Sequence, residues 1–509
     1  MYAPPVNYGV VGPKGLGLEN RKCIYELSVF FISFKCMGCT STFCVNSVDR
    51  CLKVGEMKGA HNHPCTRDFM IVDSSRRSLT EDEKTQVNSM IKYMVSTSEL
   101  RDAVFLKFGK FLSRKDVVKL REEVFGGVKS MAEVLQLLSS SGEVRTKSSN
   151  GQIDVICFSL QQQIKFFQSF PEVICIDSTY KTNKVGFSLF QLVATDGCGN
   201  GACVMFAFCQ RETVVDITFV LEMFKAIMGC TNATRTFVMD NCQAEISSVQ
   251  QVFPHCRIVL CSFHVLRAFS RKFRNSDARF ALRRMLSTRF RERFNYYYRY
   301  IRHEFPQAYQ YLNGHWMNNR RMWARCFRRK YMTLGNGTNN RVESAHKHLK
   351  LHLRRNDPLV LTLRKVYNKA KNYWRLRQYD TLLTLQRFRQ YDAPQLIHVH
   401  LDKLTPYAAK LVFKDYQRVG RIHHSVISSN LIDCYDGVAF NLVDISNGVC
   451  GCHHFHDYQL PCSHILYAYS VGLFTGDILQ YSQRWSREYN FQVCFETIER
   501  PPDAFHTDN

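Results

Sequence analysis

Two sets of cysteines and histidines have the spacing of metal ligands. Cys450-Gly-Cys452, nine residues, then Cys462-Ser-His464 offers three thiolates and one imidazole, and a single intervening residue keeps each pair on one side of a tight or extended segment. Four such donors fill a tetrahedral Zn²⁺ shell. His453, His454 and His456 lie nearby but break the spacing. A second set, Cys36-Met-Gly-Cys39 followed after 21 residues by His61-Asn-His63, supplies a Cys₂His₂ ligand group, with Cys44 and Cys51 competing for the second cysteine. A third constellation is acidic. Asp177 and Asp240 each stand directly after a short apolar run, and Glu343 follows between two basic blocks. An unpaired carboxylate at a buried strand end is costly to desolvate. Two such ends on one sheet edge can instead converge on a hard cation. Mg²⁺ or Mn²⁺ held by carboxylates activates a water or hydroxyl for in-line attack on a phosphodiester. The plainer alternative is that each Asp caps a turn and Glu343 is one more helical acid.

The elements that must position these groups are legible from periodicity. Val173–Ile176, Phe187–Thr195 and Ala202–Cys209 read as strands and Val214–Met228 as a helix. Arg235–Met239 and Cys256–Leu260 read as further strands separated by the helix Ala244–Val252. Three strands, then helix, strand, helix, strand describe an α/β sheet with antiparallel and parallel parts. Ahead of it, Lys22 to Pro64 alternates like a small β unit, and Glu83–Met94, Glu99–Phe108 and Ser113–Val124 read as three short helices, the last capped by Ser113. After Cys261 the pattern is helical and basic almost to Tyr379, and Leu431–Leu442 returns to strands.

The charge is uneven. The 509-residue chain carries 68 Lys+Arg against 44 Asp+Glu, a net +24. Arg257 to Arg302 holds 13 basic and 2 acidic residues, and Arg320 to Arg377 holds 17 and 2, so the rest of the chain is near neutral. Blocks that omit acids point to a polyanion, and duplex DNA is the expected partner, with Arg283, Arg284, Arg328 and Arg329 as candidate phosphate contacts. No run of 18 uncharged apolar residues and no basic-then-apolar leader is visible, so membrane insertion and secretion are not expected. The 21 cysteines, several beside histidines, fit intracellular metal binding better than a disulfide scaffold.

Asp177-Ser-Thr-Tyr-Lys-Thr-Asn183, Phe237-Val-Met-Asp240, Cys261-Ser-Phe-His264 and Asn339-Asn-Arg-Val-Glu343-Ser344 together resemble the Mutator-like element transposases and proteins domesticated from them, closest to the SWIM zinc-finger branch. The resemblance runs from about Ile32 to Tyr489. It implies an RNase H-like transposase core of α/β class with a basic helical insertion, flanked by small zinc-finger modules. Asp177, Asp240 and Glu343 then become a catalytic triad using Mg²⁺ or Mn²⁺. Cys261 and His264 offer only two of the four donors of a closed zinc site, so His264 is read as orienting backbone or phosphate beside the acids rather than binding metal. Cys450, Cys452, Cys462 and His464 become a SWIM finger. Cys36, Cys39, His61 and His63 become a FAR1-type, WRKY-like or FLYWCH-like finger that can enter the major groove. Ser178 stands where the family commonly has Gly, and Asn241-Cys242 where it has a basic residue.

The implied layout is a lead-in over 1–21, a finger over 22–70, a helical domain over 78–165, the core over 171–380 with its insertion at 267–335, a helical linker over 381–430, the SWIM finger over 431–475 and a tail over 476–509. The implied protein is a nuclear zinc- and DNA-binding protein that retains metal-dependent strand cleavage and transfer, or else an inactive regulator or adaptor. Chromatin or transcription proteins are expected partners, and a transposase reading adds homo-oligomerisation.

Overall fold

A computed structural model describes residues 77–93, 97–125, 130–338, 340–481 and 483–497, together with the four strands β1 Tyr8–Val11, β2 Val29–Phe34, β3 Thr42–Val48 and β4 Cys51–Lys58. The chain divides into two compact units, Met1–Gly127 and Val128–Asn509.

In the first unit β1 to β4 form an antiparallel sheet in sequence order. Three helices follow, α1 Glu81–Tyr93, α2 Thr97–Phe108 and α3 Arg114–Phe125, closing on a core of Val87, Ile91, Leu100, Val104, Leu112, Val117 and Leu120. Ser113 caps α3 as its sequence suggests. Its hydroxyl accepts from the Asp116 amide at 3.1 Å, and the Asp116 carboxylate accepts from the Ser113 amide at 2.7 Å, a reciprocal box. Cys36, Cys39, His61 and His63 lie outside the described residues.

The second unit is built on seven strands. After α4 Met131–Ser139 come β5 Gly142–Ser149, β6 Gln152–Leu160, α5 Gln161–Ser169, β7 Val173–Thr179, β8 Ser188–Thr195, β9 Gly201–Cys209, α6 Val214–Met228, β10 Thr236–Met239, α7 Gln243–Val252 and β11 Arg257–Leu260. Their spatial order is β11-β10-β7-β8-β9-β6-β5. The β7-β8-β9 meander is antiparallel, while β10 joins β7, and β11 joins β10, in parallel. Every residue of β8 is buried, as expected for a strand flanked on both sides in a sheet covered by helices. Residues 142–160 therefore belong to this sheet: β6 pairs antiparallel with β9, and the helical domain expected over 78–165 stops at Phe125.

Beyond β11 the chain is helical, with α8 Ser262–Lys272, α9 Ser276–Ser287, α10 Arg291–Glu304, α11 Pro306–His315 and the single turn α12 Arg320–Trp323. An irregular stretch leads to α13 Asn340–Lys350, then α14 Leu359–Leu385, α15 Gln395–Lys403 and α16 Pro406–Tyr416. A second antiparallel sheet follows, β12 His423–Ser428, β13 Leu431–Tyr435, β14 Phe440–Asp444 and β15 Val449–Cys450, carrying α17 His453–Tyr458 and α18 Ser463–Ser470. The linker expected over 381–430 thus already contains β12.

The tail expected over 476–509 contains the last helix, α19 Arg487–Thr497. Trp485 is wholly buried, Arg484 pairs with Glu172, and the Arg484 guanidinium donates to the Thr195 carbonyl at 2.6 Å. A single apolar core runs from Val155 in β6 through Trp323 and Val443 to Cys450, Cys462 and Trp485, so the C-terminal sheet is packed into the same body as the large one. No helix among the described residues is long and apolar enough to cross a membrane.

Candidate acidic site and zinc centre

The acidic site forms where β7 and β10 end side by side. Their register pairs Thr236 with Val173, Phe237 with Ile174 and Val238 with Cys175. Asp240 directly follows β10, and Asp177 lies near the end of the adjacent β7, where it pairs with Gln191 of β8, so both acids come to the same edge of the sheet. Glu343 comes from outside the sheet, on α13, which packs against β7, β8 and β9. Three residues along α13, His346 shares the face of Glu343.

Two histidines sit against the three acids. His346 is buried, with Nδ1 3.3 Å from Asp177 Oδ2. His264, in the first turn of α8, puts Nε2 3.3 Å from Glu343 Oε1 and Nδ1 3.8 Å from Asp240 Oδ1. A hydrogen bond with Cys261, then the charges of Asp240 and Glu343, hold the His264 imidazole up at about 9 against the opposing effect of burial. Its position between two carboxylates favours the protonated imidazole.

Two further acids stand behind this edge. Glu245, in the first turn of α7, is 3% exposed, and its pKa lies well above the carboxylate range because of burial and then the charges of Asp177, Glu212 and Asp240. Glu212, between β9 and α6, accepts a hydrogen bond from the Tyr180 hydroxyl.

The Cys₃His set is a tighter assembly. Among the described residues, Cys450, Cys452, Cys462 and His464 are the one group of three or more His, Cys, Asp or Glu residues whose ligand atoms all lie within 4.8 Å of one another, so the three acids do not close to that distance. All four are buried. Cys450 ends β15, Cys452 and Cys462 are the N-caps of α17 and α18, and His464 sits in the first turn of α18. His464 Nδ1 is 3.6 Å from both Cys450 Sγ and Cys462 Sγ. Its Nε2 points towards Asp436 Oδ2 at 3.8 Å, leaving Nδ1 to face the sulfurs. Hydrogen bonds from Cys450 and Cys462 hold the Cys452 thiol well below its usual range. Converging sulfur and imidazole donors fit Zn²⁺. The neighbouring histidines are spent elsewhere: His453 Nδ1 lies 3.2 Å from the Arg329 carbonyl and His454 Nδ1 3.2 Å from Asp415 Oδ2.

The helix between the metal ligands fastens this module to the segment that leads into α13. The Thr333 amide and hydroxyl both donate to Asp457 Oδ1, at 2.8 and 2.6 Å, and the Leu334 amide donates to the Asp457 carbonyl at 3.2 Å. Gly335 follows with φ +75°, and a Cβ there would meet the Tyr458 hydroxyl at 2.5 Å. The Gly337 carbonyl then accepts from the Ser262 amide at 3.1 Å, close to His264. One short segment thus touches the Cys₃His module and the acidic site in turn.

Of the four arginines expected to meet phosphate, Arg283 and Arg284 are exposed on α9, and Arg329 is exposed while donating weakly to Asn441 Oδ1 at 3.4 Å. Arg328 differs. It is 7% exposed, and burial brings its pKa down to about 10 against the opposing charge of Asp457. It is a packing residue, and runs of basic residues in a sequence do not reveal which member turns inward. His346 and Glu245 escaped the sequence reading as well. Glu343-x-x-His346 is a same-face pair that could have flagged the first, whereas Glu245 looks like any acid favoured in a first helical turn.

The RNase H-like domain of zinc finger SWIM domain-containing proteins 1 and 3 is the family model that matches this chain, over residues 134–259. That span takes in α4 from Val134 onward, all of β5 to β10 and the β11 residues through Val259, so the hairpin β5–β6 falls inside the matched domain. The region is an RNase H-like domain, and the chain joins it to a Cys₃His cluster able to bind metal. A protein of Chaetomium globosum named PKS-NRPS hybrid synthetase cheA is 20% identical over 340 residues, which are 58% of this chain and 7% of that protein. The chain therefore spans a small part of that relative's length.

Proposed function

We propose that the protein is a transposase-derived, zinc- and DNA-binding nuclear protein whose Asp177, Asp240 and Glu343 support metal-dependent cleavage and transfer of DNA strands. The observation that carries this is that Asp177 and Asp240 come from adjacent strands and Glu343 from a helix packed on them, with His264 between Asp240 and Glu343 and His346 on Asp177. Carboxylate oxygens in that arrangement suit Mg²⁺ or Mn²⁺. When bound, such an ion supplies an activated water or 3′-hydroxyl and stabilises charge on the scissile phosphate. The chain's own contribution is positional. His346 orients Asp177, α13 delivers Glu343, and the segment through Gly335 and Gly337 ties that delivery to the zinc module. Zinc at Cys450, Cys452, Cys462 and His464 serves here as a structural clip. A second zinc at Cys36, Cys39, His61 and His63 belongs to the same reading, with chromatin proteins and further copies of the chain as partners. The test is cleavage and joining of duplex DNA with Mg²⁺ or Mn²⁺, comparing the wild type with Asp240→Asn.

One observation favours a second reading, DNA binding without cleavage. His264 lies between Asp240 and Glu343, whose charges favour its protonated form, and an imidazolium there offsets carboxylate charge without metal. In that case duplex DNA is bound and left intact whichever divalent ion is added.

A further inference from the structure

Two chain segments that leave the acidic site are basic, and they meet again on the surface. Beyond Asp177 in β7, residues 178–187 hold Lys181 and Lys184 and no acid. Beyond Glu343 in α13, residues 344–356 hold Lys347, Lys350, Arg354 and Arg355, again without an acid. All six side chains are exposed, and among the described residues none of them is in an ion pair. Glu343, Lys347 and Lys350 stand at i, i+4 and i+7 of one helix, so the face that presents the acid continues as a row of lysines.

Hydrogen bonds fix the two segments to each other. The Lys184 amide donates to the Asp357 carbonyl at 2.8 Å. Asp357 is buried, and its carboxylate accepts from Lys365 Nζ at 2.7 Å and from the Arg354 amide at 3.0 Å, so it is committed inside the turn. Asn183 closes the other loop: its Oδ1 accepts from the Gly186 and Phe187 amides at 2.9 and 3.0 Å, and its Nδ2 donates to the Phe187 carbonyl at 2.8 Å. Thr182 and Asn183 are buried, which leaves Lys181 and Lys184 turned outward on either side of them. Lys181 has φ +62°, a left-handed conformation uncommon outside Gly, Asn and Asp. Such backbone outliers gather where a loop is held for a ligand. Six like charges on one rim repel each other in the free protein, and a polyanion relieves that repulsion.

We propose that Lys181, Lys184, Lys347, Lys350, Arg354 and Arg355 form one phosphate-binding rim that seats the backbone of duplex DNA beside Asp177 and Glu343. The seven residues from Glu343 to Lys350 rise about 10 Å along α13, which matches about three phosphates of one strand at roughly 3.4 Å each. One strand thus runs from the acids out along α13 to the turn at Arg354 and Arg355, with Lys181 and Lys184 on its other side. This rests on the DNA-binding part of the proposed function and does not depend on cleavage.

The test uses the zinc-loaded full chain. A rim variant combines Lys181→Asn, Lys184→Gln, Arg354→Gln and Arg355→Gln, with Asn at 181 because it tolerates the left-handed backbone. A charge-matched control combines Lys165→Gln, Lys225→Gln, Lys410→Gln and Lys414→Gln, four exposed lysines outside the two segments. Duplex affinity is measured by anisotropy between about 50 and 200 mM salt. At about 0.9 per phosphate, four lost contacts flatten the salt slope by about 3.6, so over this range the wild type should lose roughly 150-fold more affinity than the rim variant. The control should keep the wild-type slope. In parallel, the photo-crosslinker benzoylphenylalanine placed at Val185, 59% exposed within the loop, should join to the duplex, and placed at Phe495 on α19 it should not. Should the rim variant melt below the wild type, the crosslink at Val185 in the otherwise unaltered chain still decides. Equal slopes for folded rim variant and control, or duplex that binds without joining at Val185, would overturn the proposal whether or not the wild type cuts DNA. A flattened slope with a Val185 crosslink, in a protein that leaves DNA intact, would uphold it while the cleavage reading falls. A wild type that binds no duplex at about 50 mM salt would sink both.

Discussion

Asp457→Ala probes the joint between the Cys₃His module and the segment that carries Glu343. Asp457 is 6% exposed and accepts two hydrogen bonds from Thr333, at 2.8 and 2.6 Å, while its charge offsets part of the burial of Arg328. Hydrogen bonds to a charged acceptor contribute about 1.5–3 kcal/mol each. Removing the carboxylate also leaves the Thr333 donors and the Arg328 guanidinium buried without compensation, so a loss of about 3–5 kcal/mol is expected. With an unfolding entropy of roughly 2.1 cal/mol/K per residue over a unit of about 380 residues, that lowers the melting temperature by about 4–6 °C. Asp457→Asn keeps one acceptor and should fall about halfway. Arg328→Met added to Asp457→Ala should recover part of the loss, because the charge left unpaired is then gone. Calorimetry of the four proteins, with amide exchange at Leu334 as the local reporter, checks this. If Asp457→Ala melts within a degree of the wild type and the double variant shows no coupling, the joint is not held by this carboxylate.

Further outcomes follow from the same geometry. Cys462→Ser should remove one zinc per chain by metal analysis and lower the melting temperature by several degrees, since the cluster shares the main apolar core; Cys36→Ser should remove a separate zinc without that shift. In buffer free of added divalent ions, His264 stabilises the folded state through a pKa raised from 6.5 to about 9. That contribution is complete below about pH 6.5 and is lost as pH rises through 9, so the wild-type melting temperature should fall across this window more steeply than that of His264→Gln. Parallel curves would remove the link. Neutralising Arg283, Arg284 and Arg329 together should weaken duplex binding regardless of sequence and flatten the salt dependence by about 0.9 per lost phosphate contact, measured by anisotropy. Arg328→Gln should cost stability instead.

Periodicity was a sufficient guide where an element's own residues are apolar enough to mark it. Val214–Met228 spans the same residues in the sequence reading and in the fold, and the strands before Asp177 and Asp240 were legible as apolar runs ending in an acid. The hairpin β5–β6 was not, because Gly142–Ser149 is an edge strand with a polar, partly exposed pattern, and its partner is fixed by pairing with β9 some 50 residues away. The same holds for Arg484 and Trp485: nothing local to residues 476–509 says that these side chains are buried beside Glu172 and Tyr458. Charge counts marked the basic blocks but could not separate exposed Arg283 from buried Arg328. The Cys₃His ligands were readable because four donors at short spacing are constrained by the metal itself, whereas the acids are spread over 167 positions and meet only through the sheet and α13.

The central claim, that the three acids cut DNA with a divalent ion, is tested most directly by incubating labelled duplex with the zinc-loaded protein and Mn²⁺, beside Asp240→Asn matched for zinc content and DNA affinity. The account predicts nicked and joined products from the wild type, none from Asp240→Asn, and none from either without Mn²⁺. Products formed equally by both proteins, or by neither at saturating DNA and Mn²⁺, would contradict it.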